Sequence, residues 1–331
     1  MKYHVYGIGN ALVDMEFEVS DAFLTEQGIE KGMMTLLEDE AHATLLDKLE
    51  TTFSLKTRSG GGSAANSIVA VSQFGGNTFY ACKVADDEHG QFYAQNLQEA
   101  GVSTKLENTA TTDGSTGKCM VMITPDAERT MNTYLGITAD FSEDELHFDE
   151  LAQSEYLYIE GYLVTSDISR AAAIKARAVA KENNVKTAMT FSDPAMVTYF
   201  KDGLKEIFAE GVDILFCNEE EALTFTDTKT IEAAIAELAP KVGKLVITQG
   251  ADGASIVEQG KMTKIVGETA TAIDTNGAGD MFAGAFLYGI THNMTNEQSG
   301  QLANRAAAKV VETFGARLSK ETHQSLLKST S

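Results

Sequence analysis

Short apolar runs of the kind that form β-strands alternate with segments of helical spacing along most of this 331-residue chain. Parallel strands need long crossover connections, which are usually helices. The alternation therefore predicts an α/β fold of three layers, with a mostly parallel central sheet and helices on both faces. The clearest strand-like runs are Val5–Ile8, Thr78–Val84, Tyr156–Ile159, Lys186–Phe191, Ile214–Cys217 and Lys244–Thr248.

Two stretches interrupt this alternation. Residues 15–36 and 105–138 are richer in β-forming residues, threonine and turn residues, and we interpret them as insertions that build a small β-sheet lid. The chain has only 3 prolines and no low-complexity tract that would serve as a linker. We therefore expect residues 1–331 to form a single domain that carries this small sheet as an appendage.

Composition restricts the partners and the compartment. A net charge of −22 argues against nucleic acid and against an anionic membrane surface. The first residues contain no long apolar segment, so neither a signal peptide nor a membrane span is expected. The 3 cysteines are far apart in apolar surroundings, which predicts reduced core residues of a cytoplasmic protein. A monomer and a homodimer both remain open.

The segment Asp274-Thr-Asn-Gly-Ala-Gly-Asp280, followed by an apolar run, predicts a loop that opens a helix. The first N–H groups of a helix lack internal partners, and Gly277, Ala278 and Gly279 add little bulk, so a phosphate can approach them. Asp280 would face the same anion. A carboxylate beside bound phosphate suggests proton abstraction from a hydroxyl, hence phosphoryl transfer to an alcohol. A capped glycine-rich turn is the structural alternative, but the helical continuation favours the phosphate interpretation.

Two further segments suit a polyhydroxyl ligand. In Gly60-Gly-Gly-Ser-Ala-Ala-Asn66, Gly61 and Gly62 allow close backbone approach, and Asn66 offers one acceptor and two donors. A flexible loop with a helix cap is the alternative there. Asn10 and Asp14 are polar residues in an apolar setting, and Asp14 can accept from two vicinal hydroxyls. Turn capping is the alternative for that pair.

Other candidate ligands follow predicted strands. Glu221 can hold a hydrated Mg²⁺ through water, and Asn218 can bond a phosphate or a metal-bound water. An acidic first helical turn is the structural alternative. The backbone of Thr248, Gly250 and Gly253 can pass along nucleotide phosphates, and a hairpin turn is the alternative of equal weight.

Arg129 lies within the second of the two β-rich stretches. A guanidinium can clamp phosphate oxygens with two parallel hydrogen bonds. The usual alternative is a surface ion pair, here with Glu128 or Asp126.

The order and spacing of Asp274–Asp280, the Gly-Gly-Ser-Ala-Ala-Asn66 loop and Asn218-x-x-Glu221 resemble the ribokinase/PfkB family of sugar and nucleoside kinases. The resemblance spans essentially the whole chain. Within the family, adenosine-kinase-type members are the most similar at residues 9–14, 128–136 and 159–163. The resemblance implies a ribokinase-like α/β domain with a β-sheet lid, and ATP and Mg²⁺ as cosubstrate and cofactor.

The resemblance also implies roles for single residues. Asp280 would be the general base, and the N–H groups of residues 277–279 would form an anion hole. Asp14, Gly62 and Asn66 would hold ribose hydroxyls, and Arg129 would contact phosphate from the lid. Weaker matches imply a contact with the nucleotide base for Asn304, and K⁺ ligation for Asp274, Gly315 and Ser319.

The sequence therefore predicts an ATP-dependent kinase acting on a primary hydroxyl of a ribose-containing substrate, with adenosine to AMP as the leading hypothesis. A free-sugar kinase for ribose or fructose is the alternative within enzymes. A non-catalytic nucleoside or sugar binder is the alternative outside them, and the carboxylate of Asp280 argues against it. A nucleoside needs an apolar slot for its base, whereas a sugar does not.

Overall fold

The computed structural model describes residues 2–106, 113–209 and 211–328. The part of the predicted lid at residues 107–112 lies outside the described residues. So do residue 210 and both ends of the predicted domain, at residue 1 and residues 329–331.

The larger sheet of the described residues has eight strands in the order β13-β12-β11-β10-β9-β8-β1-β5. The six strands from β11 to β5 are parallel, whereas β12 and β13 run antiparallel at one edge. This confirms the mostly parallel sheet predicted from the alternation. The strands are β1 Tyr3–Ile8, β5 Thr78–Ala81, β8 Ser154–Ile159, β9 Lys186–Thr190, β10 Val212–Asn218, β11 Val242–Thr248, β12 Gly253–Glu258 and β13 Lys261–Val266.

Helices cover both faces of this sheet. In β1, Val5 packs into the core under one layer of helices, while Tyr6 and Ile8 pack into the core under the other. A strand that is buried on both sides is what a parallel sheet between two helical layers requires. The helices outside the second sheet are α3 Ser63–Phe74, α4 Glu88–Glu99, α5 Phe148–Ala152, α6 Asp167–Glu182, α7 Pro194–Tyr199, α8 Lys201–Phe208, α9 Glu219–Thr226, α10 Ile231–Leu238, α11 Ala278–Thr291, α12 Asn296–Val310 and α13 Lys320–Lys328.

A second, five-stranded sheet has the order β3-β7-β6-β2-β4 among the described residues. Its outer face packs Met15 and Phe17 against two helices, of which one contributes Phe23 and the other Leu45 and Leu49. Its inner face points toward the ends of the parallel strands. The strands are β2 Leu12–Glu18, β3 Met34–Leu36, β4 Leu55–Gly61, β6 Gly117–Ile123 and β7 Arg129–Tyr134, and the helices are α1 Asp21–Gln27 and α2 Asp39–Thr52.

The second sheet extends beyond the predicted stretch 15–36, because it also includes β4. This strand reads Leu-Lys-Thr-Arg-Ser-Gly-Gly, which lacks the apolar run that identifies a strand in a sequence. Antiparallel pairing with β2 and its place at the sheet edge hold it in the extended conformation. Tertiary pairing, not local propensity, therefore makes it a strand.

Helices α3 and α11 lie side by side and bring two predicted motifs together. A Cβ built on Gly284 of α11 would lie 2.5 Å from the carbonyl oxygen of Ser67 in α3. Only glycine permits an approach this close. The first turns of the two helices consequently meet at the pocket between the two sheets. In the part of the chain that the structure describes, we find no helix with the length and apolar character needed to cross a membrane.

Candidate active site

The predicted loop and helix form one wall of the pocket. Helix α11 begins at Ala278, and its N-cap Gly277 has φ 75° and makes no side-chain capping hydrogen bond. A Cβ on Gly277 would lie 2.4 Å from that of Ala316, so a larger residue does not fit there. A Cβ on Gly279 would meet no atom within 4 Å, which leaves the first helical turn open to the pocket. The N–H of Ala278 has a long bond of 3.4 Å to the carbonyl oxygen of Thr275, and a helix N-terminus without a side-chain cap fits a phosphate.

Two side chains from α3 orient the carboxylate of Asp280. Ser63 Oγ donates to Oδ1 at 2.6 Å, and Asn66 Nδ2 donates to Oδ2 at 3.0 Å. Burial raises the pKa of Asp280 above the ordinary 3.8, and the bonds from Ser63 and Asn66 oppose that rise. The predicted base is thus fixed beside the helix N-terminus, where an attacking hydroxyl would be placed. Ser63 was not among the predicted site residues, although it lies within the quoted glycine-rich loop.

Asp14 lines the pocket from strand β2. Its carboxylate makes no hydrogen bond to any residue that the structure describes, so it is available to a ligand. Burial raises the pKa of Asp14 to about 7, while the Arg317 charge counteracts the effect. A Cβ on Gly61 would lie 2.1 Å from Asp14 Oδ1, and one on Gly62 would lie 2.3 Å from the carbonyl oxygen of Asn10. Gly61 does not line the pocket; it leaves room for Asp14.

The carboxylate of Glu160 connects two of the predicted ligand loops through hydrogen bonds. It has no exposed surface, and it accepts hydrogen bonds from the N–H of Asn10 at 3.1 Å and of Ala64 at 2.7 Å. Burial raises the pKa of Glu160 to about 8, although these two N–H donors oppose the rise. Glu160 lies within residues 159–163, which entered the sequence analysis only through the family resemblance, and one carboxylate after an apolar run gives no indication of its partners.

Arg317 is a second residue that the sequence did not reveal. Its Nε donates to Asn66 Oδ1 at 2.9 Å, so Asn66 links this arginine to Asp280. The guanidinium charge also lowers the pKa values of Asp14 and Asp280 relative to burial alone. The neighbouring Gly315 and Ser319 match only a K⁺ site by resemblance, and it is the fold that brings Arg317 to Asn66.

Arg129 lines the pocket from strand β7 and reaches across to the main sheet. Its Nη2 lies 3.5 Å from Oδ2 of the buried Asp193, to which the Tyr162 hydroxyl also donates. The surface ion pairs with Glu128 or Asp126, which were the alternative for Arg129, do not form. Glu128 accepts only from the backbone N–H of Arg129, and Asp126 pairs with a lysine. A guanidinium held in the pocket remains suited to a phosphate.

Asn218 and Glu221 line the pocket at the end of β10, with Thr248 beside them on β11. They form a capping box, in which Asn218 N and Nδ2 donate to the Glu221 carboxylate at 2.9 and 3.1 Å. The structural alternative, an acidic first turn that caps helix α9, is therefore present. Each carboxylate oxygen keeps a second lone pair, so the pair still fits a water of hydrated Mg²⁺. Burial raises the pKa of Glu221 to about 8.

Several predicted nucleotide and cation ligands lie outside this pocket. Gly250 and Gly253 form the turn into the antiparallel strand β12, so the hairpin alternative describes them. Asn304 Nδ2 donates to the carbonyl oxygen of Val266 at 2.8 Å. Their nucleotide contacts stay predictions.

The K⁺ ligands predicted from the resemblance are engaged within the protein. Asp274 accepts from the N–H groups of Asn276 and Gly315, and Ser319 Oγ accepts from the N–H of Thr322 at the start of α13. No group of three or more histidine, cysteine, aspartate or glutamate side chains in the described ranges is arranged to hold a metal ion. K⁺ ligation by these residues stays a prediction.

The inner face of the second sheet supplies an apolar wall that the sequence did not locate. Cys119 in this wall is buried, and Thr133 Oγ1 donates to its Sγ at 3.3 Å. The wall adjoins Asp14 on the same sheet face, so a ligand held by Asp14 would meet apolar atoms next to it. Its other members are Leu12, Met34, Leu36, Met131 and Leu135.

A comparison with known protein families identifies the family of the chain that forms this pocket. Residues 41–323 match the model of the pfkB family carbohydrate kinases. This chain belongs to that family. As a member of the pfkB family, it is an ATP-using phosphotransferase with an alcohol group as acceptor.

Individual relatives of this pfkB kinase include nucleoside and sugar kinases. The chain is 29% identical to adenosine kinase 2 of Arabidopsis thaliana, over 93% of this chain and 94% of the relative. The crystal structure of adenosine kinase from Sinorhizobium meliloti is 32% identical over 100% of both chains, with a TM-score of 0.93. A probable sugar kinase from Rhizobium etli CFN 42 is 29% identical over 99% of this chain and 98% of its own, with a TM-score of 0.92.

Proposed function

We propose that this kinase transfers the γ-phosphoryl group of ATP to the 5′ primary hydroxyl of adenosine and forms AMP and ADP. The observation that carries the proposal is the apolar wall beside Asp14. A nucleoside needs a hydrogen-bonding grip for its ribose and an apolar slot for its base, and this pocket offers both. The similarity to adenosine kinases of two organisms supports the same substrate.

In this proposal the ribose lies between the two sheets. Asp14 accepts from its two vicinal hydroxyls, and Asn10 and Gly62 offer backbone and side-chain contacts beside them. The base occupies the slot between the second sheet and the main domain. This arrangement directs the primary hydroxyl toward Asp280, which Ser63 and Asn66 hold in place.

Phosphoryl transfer then needs a base and a site for negative charge. Asp280 takes the proton of the attacking hydroxyl. The N–H groups of residues 277–279 and the Arg129 guanidinium meet the charge that develops on the transferred group. Mg²⁺, held through water by Glu221 and Asn218, would neutralise phosphate charge. The second sheet keeps water from competing for the phosphoryl group.

A panel of acceptors tests the proposal. ADP formation is measured with Mg²⁺ and K⁺ against adenosine, inosine, guanosine, ribose and fructose. We expect kcat/KM to be highest for adenosine. Turnover confined to ribose or fructose would keep Asp280 as the proposed base but would make a free sugar the substrate. The similar fold of a probable sugar kinase makes this the second candidate. Nucleoside binding without ADP formation would leave a binder.

A further inference from the structure

Glu16 is a buried carboxylate that the proposed mechanism does not use. It follows Asp14 by two residues on β2 and points to the same face of the second sheet. Its Oε1 accepts from Asn276 Nδ2 at 3.2 Å, whereas its Oε2 has no partner among the described residues. Glu16 has no exposed surface. A carboxyl group buried at this cost, with one oxygen unsatisfied, calls for a functional explanation.

The partner of Glu16 lies directly before the anion-binding turn. Asn276 precedes Gly277, the N-cap of α11. On its other side, Thr275 Oγ1 donates at 3.1 Å to the carbonyl oxygen of Ala127, in the turn between β6 and β7. Two consecutive side chains of the loop are thus bonded to two different parts of the second sheet.

Other contacts place Glu16 at a junction. A Cβ on Gly315 would lie 3.9 Å from both carboxylate oxygens of Glu16, so the segment that carries Arg317 also passes beside it. Asp274 joins that segment to the loop by accepting from the N–H groups of Asn276 and Gly315. The second sheet, the anion-binding loop and the Arg317 segment therefore meet at Glu16.

We propose that Glu16 is a positioning residue for phosphoryl transfer, which acts through Asn276 to hold the anion-binding loop against the second sheet. The N–H groups of residues 277–279 then take their working positions when the second sheet is seated over the substrate. This inference rests on the proposed function. It concerns kcat more than substrate affinity, because Asp14 and not Glu16 is placed at the ribose in the proposed function.

Replacing Glu16 by alanine and by glutamine tests the proposal. Glutamine keeps an oxygen that can accept from Asn276, whereas alanine removes it. We expect Glu16→Ala to lower kcat by about tenfold or more, since small misplacements of catalytic groups are this costly. KM for adenosine should stay close to that of the wild type, and Glu16→Gln should retain most of kcat.

The matched control is Glu18→Ala. Glu18 lies on the same strand and the same face, but it is exposed and pairs with Lys56 at the surface. We expect its replacement to leave kcat and KM unchanged. A loss of kcat in Glu18→Ala equal to that in Glu16→Ala would overturn the assignment to Glu16.

A second readout requires no ATP. Hydrogen–deuterium exchange of residues 274–280 in the free enzyme should be faster in Glu16→Ala and close to the wild type in Glu16→Gln. Unchanged kcat and unchanged exchange in a folded Glu16→Ala enzyme would overturn the proposal. If Glu16→Ala does not fold, Asn276→Ala removes the donor instead. It should also lower kcat and speed exchange of residues 274–280, and a folded Asn276→Ala enzyme with both unchanged would overturn the proposal.

A double-mutant cycle distinguishes loss of the Glu16–Asn276 hydrogen bond from a general disturbance of the fold. Because Glu16 and Asn276 would act as one unit, the double replacement by alanine should cost no more in kcat than either single replacement. Fully additive losses would overturn the coupling. A wild-type enzyme that does not phosphorylate adenosine would instead remove the proposed function, and the exchange measurement would still decide the role of Glu16.

Discussion

Buried carboxyl groups and two arginines set the electrostatics of the pocket at the residue scale. Burial raises the pKa values of Asp14, Glu160 and Asp280, while Arg317 opposes the rise at Asp14 and Asp280. Of these three carboxyl groups, only Asp280 is placed beside the N-terminus of α11. This position is why the proposed mechanism gives Asp280 the role of base, and its pKa sets the pH range in which it is charged.

Asp280→Asn tests that assignment. Asparagine keeps the size of the side chain but cannot accept the proton, so we expect kcat to fall by several orders of magnitude. The affinity for adenosine should change little, because Asp14 and the apolar wall remain. Steady-state kinetics and calorimetric titration check the two parts, and a near-normal kcat would contradict the mechanism.

The wild-type pH profile offers a related check on Asp280. Its raised pKa predicts that kcat falls on the acid side at a pH above the ordinary aspartate value of 3.8. The loss reflects protonation of the base, so it should be present in kcat as well as in kcat/KM.

Glu160 should make stability depend on pH. Its pKa is about 8 in the folded protein against an ordinary 4.5, so the folded state keeps the proton that the unfolded state releases between these values. The stabilisation from this group is complete below pH 4.5 and is lost as pH rises toward 8, at up to about 1.4 kcal/mol per pH unit.

Denaturant unfolding of the wild type and Glu160→Gln across this range checks the prediction. Glutamine does not titrate, and the other buried carboxyl groups are common to both proteins. The unfolding free energy of the wild type minus that of Glu160→Gln should therefore decrease as pH rises. A difference that stays constant from pH 5 to pH 8 would exclude a raised pKa at Glu160.

The sequence predicted the residues that lie in local motifs and missed those that the fold alone assembles. Asp280 and Asn66 belong to glycine-rich loops before helices, where spacing indicates chemistry. Arg317 reaches Asn66 across 251 positions of sequence, and Glu160 reaches Ala64 across 96. No local pattern reports a contact over such a separation.

At the scale of elements, the close contact of α3 and α11 brings Asp280, the proposed base, together with Ser63 and Asn66. We expect Gly284→Ala to destabilise the protein by about 1–3 kcal/mol, because overpacking against backbone cannot be relieved by a side-chain movement. The added Cβ would lie 2.5 Å from the carbonyl oxygen of Ser67 and 2.7 Å from Ala70 Cβ.

Thermal or denaturant unfolding measures this effect, with Gly279→Ala as a control in the same helix. A Cβ there meets no atom within 4 Å, so stability should be unchanged or higher by up to about 1 kcal/mol, because alanine restricts the unfolded chain. Equal stability of Gly284→Ala and the wild type would show that the two helices are not packed as closely as described.

Strands with a clear apolar run were predictable from the sequence, whereas strands held mainly by hydrogen bonding to their neighbours were not. The buried strands β8 to β11 have apolar runs and were recognised from the sequence. Strand β4 has none, and the antiparallel hairpin of β12 and β13 follows a turn whose chemistry is compatible with several structures. Pairing partners, which the sequence does not display, decide both cases.

At the scale of the whole molecule, the pocket lies between the two sheets. The parallel sheet and its helices provide the N-terminus of α11 and Asp280, the proposed base, whereas the second sheet provides Asp14, Arg129 and the apolar wall. Neither sheet alone completes the site. This division is consistent with a second sheet that acts as a lid, in which substrate binding and exclusion of water occur together.

The most direct measurement is the identity and stoichiometry of the products from ATP, Mg²⁺ and adenosine, followed by phosphorus NMR. We predict adenosine 5′-monophosphate and ADP in equal amounts from the wild type, and neither at a measurable rate from Asp280→Asn. ADP accompanied by inorganic phosphate, or a phosphate on any oxygen other than the 5′ one, would contradict the account.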